Sequence, residues 1–157
     1  MSGGLPNALL LGALALLLVS AGIQDARTRE IADWKNIAIA VIAPLWWWTN
    51  GWALWPDIAI LVGVAAIVFA LFVGAFYMNC MGGGDVKMIG ALALWLPYDA
   101  LIWMLAVMSL LGGALSLLLL IESKLLRKKE KPEIPYGVAI AIAALLTLRE
   151  PILNHFL

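Results

Sequence analysis

An all-α, polytopic membrane protein of about six helices is the fold that the sequence predicts, on three observations. Of its 157 residues, 64% are hydrophobic and 13% charged, against about 45–50% and about 25% in soluble domains. The mean hydropathy is +1.00. The apolar residues also fall in long blocks rather than in an amphipathic period. Residues 5–23, 58–77 and 100–121 each approach or exceed the roughly 20 residues that cross a bilayer core. Lipid is the solvent for most of this chain. The whole sequence, 1–157, reads as a single membrane domain.

Composition also excludes several kinds of chemistry. The formal net charge is zero, which leaves no basic surface for nucleic acid. The single cysteine, Cys80, rules out an intramolecular disulfide and any paired-cysteine metal knuckle. The single histidine, His155, lies within the last three residues, so neither a His-rich metal site nor a Ser-His-Asp triad is expected.

The first apolar block, 5–23, is preceded by no Lys or Arg and followed by Arg27 and Arg29. Secretory signals begin with positive charge, so this block reads as an uncleaved first span with its N-terminus outside. A polar segment, 24–36, leads to a second span from about Ile37 to Thr49, which ends in three consecutive tryptophans. Gly51 and Pro56 mark a turn, and a third span covers 58–77. The stretch 79–85 contains Gly82, Gly83 and Gly84, which need support to be helical in lipid. The fourth apolar piece, 86–96, covers only about 16 Å at helical rise, roughly half the hydrocarbon thickness. Either it starts below the membrane surface or it is a re-entrant half-helix. Both arrangements sink the glycine loop and Asp85 toward the bilayer. The fifth span is 100–121. A basic loop, 122–133, leads to a short sixth span, 134–148.

Charge fixes the orientation. Nine of the ten basic residues (Arg27, Arg29, Lys35, Lys87, Lys124, Arg127, Lys128, Lys129, Lys131) fall in loops on the side of Asp25, and only Arg149 falls on the other. The crowded side is therefore the cytoplasmic one, and the expected location is the inner, cytoplasmic membrane. Trp46, Trp47, Trp48, Trp52, Trp55, Trp95 and Trp103 sort to the opposite side, as an interfacial aromatic belt would.

This topology places Asp25 at the cytoplasmic end of span 1 and Asp85 at the cytoplasmic start of span 4. Asp57, Asp99 and Glu150 lie on the far side and cannot join them. Taken singly, Asp25 reads as an interfacial acid and Asp85 as a helix N-cap. Taken together they stand out, because acids held at membrane depth are costly and are functional candidates by default. Two facing carboxylates share one proton. The ionised member can then activate a water while the protonated one polarises a carbonyl. Glycines beside them let an extended backbone approach closely. Such chemistry requires no metal or cofactor.

These residues resemble a known family. Gly82-Gly83-Gly84-Asp85-Val86-Lys87 is similar to the GxGD motif, followed by Val-Lys, of the type IV prepilin peptidases. The run from Asp25 to Ile31 resembles that family's first aspartate motif, although Ile31-Ala32-Asp33 stands where Ile-Pro-Asn is usual. Ile134-Pro135-Tyr136-Gly137 looks like the segment that opens the family's last helix. The resemblance implies a membrane aspartic endopeptidase of the small, peptidase-only kind that serves tight-adherence (Flp-type) pili, without the soluble methyltransferase insert of larger members. It implies Asp25 and Asp85 as the catalytic pair, and Gly82, Gly84, Lys87, Pro135 and Gly137 as supporting residues. The implied partner is a prepilin-like protein whose short basic leader precedes an apolar helix. Leader cleavage would occur at the cytoplasmic face. Archaeal preflagellin peptidases, other GxGD intramembrane proteases and, in a different class, a proton- or ion-coupled transporter are the competing readings.

Overall fold

The structure, a computed structural model, describes residues 4–126 and 134–156, with side chains of the last helix through Arg149. The part of the basic loop at 127–133, with Arg127, Lys128, Lys129 and Lys131, lies outside the described residues, as does the side chain of His155. Within these limits the protein is all-α and is built from six α-helices. They are α1 (Leu5–Thr28), α2 (Asp33–Thr49), α3 (Ala59–Tyr77), α4 (Gly83–Ala93), α5 (Tyr98–Leu125) and α6 (Tyr136–Phe156). One wide helical turn at Leu54–Ile58 leads into α3. Three helices, α1, α3 with its entry turn, and α5, are long and apolar enough to cross a membrane.

Side chains that would be a liability in water cover the exterior. Leu9, Leu16, Ile60, Ile67, Leu71, Leu110, Leu117 and Leu118 are all exposed. A bilayer accepts such a surface, whereas a soluble monomer rarely carries apolar patches of this extent.

At the centre stands the shortest helix. α4 has 11 residues, and Asp85, Val86, Met88, Ile89, Ala91, Leu92 and Ala93 are buried. It packs against α2, α3 and α6, while α6 also packs on α1 and α5. A helix of this length rises only about 16 Å. Its length matches the short fourth apolar segment of the sequence, and the chain passes from the exposed Gly82 to the buried Asp85 within its first turn. The helix starts earlier than the apolar run, because Gly83 and Gly84 form its first turn.

Two tryptophans set the height of α4 against α2. The Trp95 indole N–H donates to the Ile39 carbonyl at 2.8 Å, and the Trp47 indole N–H donates to the Leu94 carbonyl at 2.7 Å. The Trp46 and Trp95 rings pack with centroids 5.7 Å apart. Trp95 is 2% exposed, so it is a packed core residue rather than a member of the belt expected from sequence. Its distance from the end of the apolar run concealed this, because α4 ends at Ala93 and the chain folds inward before Pro97. Trp48, Trp55 and Trp103 are exposed, as belt residues would be.

α1 and α6 approach closely at Gly22, where an added Cβ would lie 3.1 Å from the Ala141 Cβ. Small residues allow such approach in lipid, where packing rather than water expulsion drives helix association. This contact brings the end of α1 to the start of α6. Gly22→Leu is expected to destabilise the bundle by about 1–3 kcal/mol through overpacking, read as a lower unfolding midpoint in detergent. An unchanged midpoint would mean that the two helices are not tightly joined there.

Candidate active site

Four chain segments meet at one end of the bundle: the last turn of α1, the link 29–32, the start of α4 and the start of α6. α1 stops at Arg29, which adopts a left-handed conformation (φ 58°) and donates its backbone N–H to the Asp25 carbonyl. Few side chains take this conformation without strain. The turn folds the chain back so that Ile31 is buried. Ile31 lies between two glycines: a Cβ on Gly84 would come 3.3 Å from its Cβ, and one on Gly137 would come 2.7 Å from its Cδ1. It therefore spaces the start of α4 from the start of α6. The link is also tied to α1, since the Ala32 N–H donates to Gln24 Oε1 at 3.4 Å.

Asp25 is 3% exposed and Asp85 7% exposed. The Val138 N–H donates to Asp25 Oδ2 at 3.2 Å, and the Gly137 N–H also faces this carboxylate. These are first-turn donors of α6, which have no partner within their own helix, so Asp25 caps α6 from another helix. The dipole of α6 favours an acid there. Gly137 is what permits the contact, because a Cβ at this position would lie 2.8 Å from both Cγ and Oδ2 of Asp25. Pro135 is buried immediately before α6, and its carbonyl shares the Val138 N–H at 3.2 Å.

Asp85 sits in the first turn of α4, and Gly82 is the N-cap residue. This corrects the N-cap reading of Asp85. Its Oδ2 reaches back to accept the Gly82 N–H at 3.3 Å. A Cβ on Gly82 would lie 3.2 Å from this same oxygen.

Both carboxylates line one polar pocket of about 530 Å³, together with Arg29, Glu30, Ile31, Ala32, Asp33, Gly82, Gly83 and Gly84. They are close enough to interact electrostatically. The structure thus brings together Asp25, Asp85, Gly82 and Gly84, and sets Gly137 against Asp25. It does not bring in Lys87, whose Nζ pairs with Asp33 Oδ1 at 2.8 Å on the exposed side. Lys87 lies outside the pocket lining, because α4 turns it away from the face that carries Asp85.

Two buried polar residues of α2, one bonded to the glycine loop and one to α1, were not legible as such in the sequence. Asn36 is 3% exposed, and its Nδ2 donates to the Gly84 carbonyl at 3.1 Å. The buried Lys35 donates from Nζ to the Ser20 carbonyl at 2.9 Å. Their position beside an apolar span was the available signal, since polar side chains there tend to face the bundle interior.

Taking an ionised carboxylate out of water costs several kcal/mol, and each hydrogen bond to a charged group offsets about 1.5–3 kcal/mol of that cost.

A comparison with protein families decides the affiliation. The model of the type IV leader peptidase family matches residues 12–117. The chain belongs to that family. Its match begins in α1 and ends in α5, and it includes Asp25, the glycine loop and Asp85. A prepilin leader peptidase/N-methyltransferase of Legionella pneumophila is 31% identical over 97 residues, covering 59% of this chain and 33% of the relative. The chain thus matches a third of the length of that relative. No solved structure matches the chain.

Gly137→Ala tests the tightest contact at the site. The added methyl must displace the Asp25 carboxylate or Ile31, and a misplacement of about 1 Å can cost about a hundredfold in rate. The expected result is a peptidase rate reduced by about that factor with the unfolding midpoint little changed. A fully active Gly137→Ala variant would show that Asp25 does not need this position.

Proposed function

We propose that this protein is a membrane aspartic endopeptidase that removes the leader from prepilin-like substrates, with Asp25 and Asp85 as its catalytic pair. The observation that carries the reading is the meeting of two buried aspartates in one polar pocket, on a chain whose family is that of the type IV leader peptidases. The curated relative carries the name of a prepilin leader peptidase.

In this reading one aspartate takes a proton from a bound water as the water attacks the scissile carbonyl. The other donates to the carbonyl oxygen as the tetrahedral intermediate forms. The proton then passes to the leaving amine. Backbone N–H groups of Val138 and Gly82 keep the two acids aimed into the pocket while these charges shift. Gly82, Gly83 and Gly84 leave room for an extended substrate backbone, as no side chain projects from them.

Charge supports the substrate class. The pocket is lined by Asp25, Glu30, Asp33 and Asp85 against the single guanidinium of Arg29. An acidic pocket of this kind suits a basic leader, which it would attract before docking. The ends of α1, α3 and α5 and the starts of α2, α4 and α6 share this side of the bundle. The excess of Lys and Arg near these ends is the basis for assigning it to the cytoplasm of a multi-pass protein of the inner membrane.

The test uses purified protein in lipid nanodiscs and a synthetic substrate with a basic leader, a glycine and an apolar helix. Asp25→Asn and Asp85→Asn are each expected to lower the cleavage rate by about 10²–10⁴, the usual contribution of general acid–base catalysis. Elution volume and unfolding midpoint should be unchanged. Wild-type cleavage by either variant would remove that aspartate from the mechanism.

A further inference from the structure

A second cavity lies beside the aspartate pocket. It is a groove of about 450 Å³ lined by Asp33, Asn36, Ile37 and Ala40 of α2, Val62, Ala65, Ala66 and Phe69 of α3, and Lys87, Gly90, Ala91 and Leu94 on or just beyond α4. Helices α2 and α3 form its walls. Each packs on α4 and hardly touches the other, so α4 is the floor. From Lys87 to Leu94 the floor rises about 10 Å, two turns of helix.

Three features point to an occupant. First, the groove and the aspartate pocket share Asp33, so a chain lying in one can continue into the other. Second, the floor and walls carry Ala40, Ala65, Ala66 and Ala91, residues small enough for a helix backbone to approach closely in lipid. Gly90 makes room instead for the Phe69 ring, from which a Cβ there would lie 2.6 Å. Third, Asn36 lines the groove, and its buried Oδ1 has no hydrogen-bond partner among the described residues.

We infer that this groove seats the first turns of the substrate's apolar helix, with the helix N-terminus at the Asn36 end. This rests on the peptidase reading for the identity of the substrate. A helix entering lipid has first-turn N–H groups with no partner of their own, and Asn36 Oδ1 can accept one of them once its buried side chain turns toward the groove. The Lys87–Asp33 pair closes the same end. Both side chains are exposed, and exposed pairs of this kind hold weakly, so the pair parts readily to admit the chain. The residues just before the substrate helix then lie over the glycine loop, beside Asp25 and Asp85. Gly84, whose carbonyl Asn36 holds, links the seating of the helix to the position of the scissile bond.

The groove is tested in nanodiscs with the same synthetic substrate. A benzophenone amino acid replaces Val62 on the groove wall in one sample and the exposed Leu117 of α5 in another. In parallel, Ala66→Phe narrows the groove from its exposed wall, and Leu117→Phe is the control. The expected result is cross-linking to the substrate helix from position 62 and not from 117. Ala66→Phe should raise KM by about tenfold or more with kcat within about threefold of wild type, the pattern of lost substrate seating. Leu117→Phe should change neither constant. Cleavage with wild-type KM by Ala66→Phe, or cross-linking from position 62 to lipid alone, would overturn the groove assignment and leave the peptidase reading standing. Cross-linking from position 62 in a wild-type background that does not cleave would support the groove and overturn the peptidase.

Discussion

Burying two carboxylates in an apolar bundle is the constraint on which the rest of the structure turns. Among the described residues, Asp25 and Asp85 are each held by backbone N–H groups, those of Val138 and Gly82. Such donors exist only where a helix begins, so the bundle must deliver helix starts to the aspartates. The start of α6 meets Asp25, and the start of α4 carries Asp85 back to Gly82. Each meeting needs a missing Cβ, at Gly137 in one case and Gly82 in the other. Gly22 lets α1 and α6 come close enough for the first of these contacts. Ile31, between Gly84 and Gly137, keeps the two helix starts apart by the width of one side chain.

A short, central α4 is the architectural consequence. Because it does not reach across a bilayer, its first turn opens into the bundle, where a polar pocket and an apolar groove meet. Trp47 and Trp95 hold it at its height by hydrogen bonds to and from α2. α3 touches this core chiefly through α4, which leaves the groove between α2 and α3 open along its length. A soluble aspartic peptidase needs a cleft for an extended peptide. Here the groove and pocket lie end to end, an arrangement suited to a substrate that is helical in lipid and extended at its rim.

What the sequence disclosed follows from the locality of each signal. Hydropathy is local, so six apolar segments and the shortness of the fourth were readable without knowing how they pack. The Asp25 and Asp85 positions were readable because acids held at membrane depth are rare and the glycine run is conspicuous. Contacts between helices were not readable in this way. Nothing adjacent to Gly22 or Ile31 announces its partner, since the partner lies on another helix whose register emerges only on packing. Lys87 was named as a supporting residue through the Val-Lys that follows the GxGD motif, yet two residues along a helix point in different directions, and it pairs with Asp33. Trp95 looked interfacial from its place near the outer end of the fourth apolar segment. The end of α4 at Ala93 and the turn beyond it brought the ring into the core instead. Asn36 had a weak signal, a polar side chain at the start of an apolar span, and its bond to Gly84 is what gives it meaning.

The central claim, that two aspartates activate a water rather than attack the peptide themselves, is tested most directly by a single turnover in H₂¹⁸O with enzyme in excess over substrate. The account predicts one ¹⁸O in the new carboxylate of the released leader and none in the enzyme. Label found in the side-chain carboxylate of Asp25 or Asp85, with an unlabelled leader, would reveal a covalent acyl intermediate and contradict it.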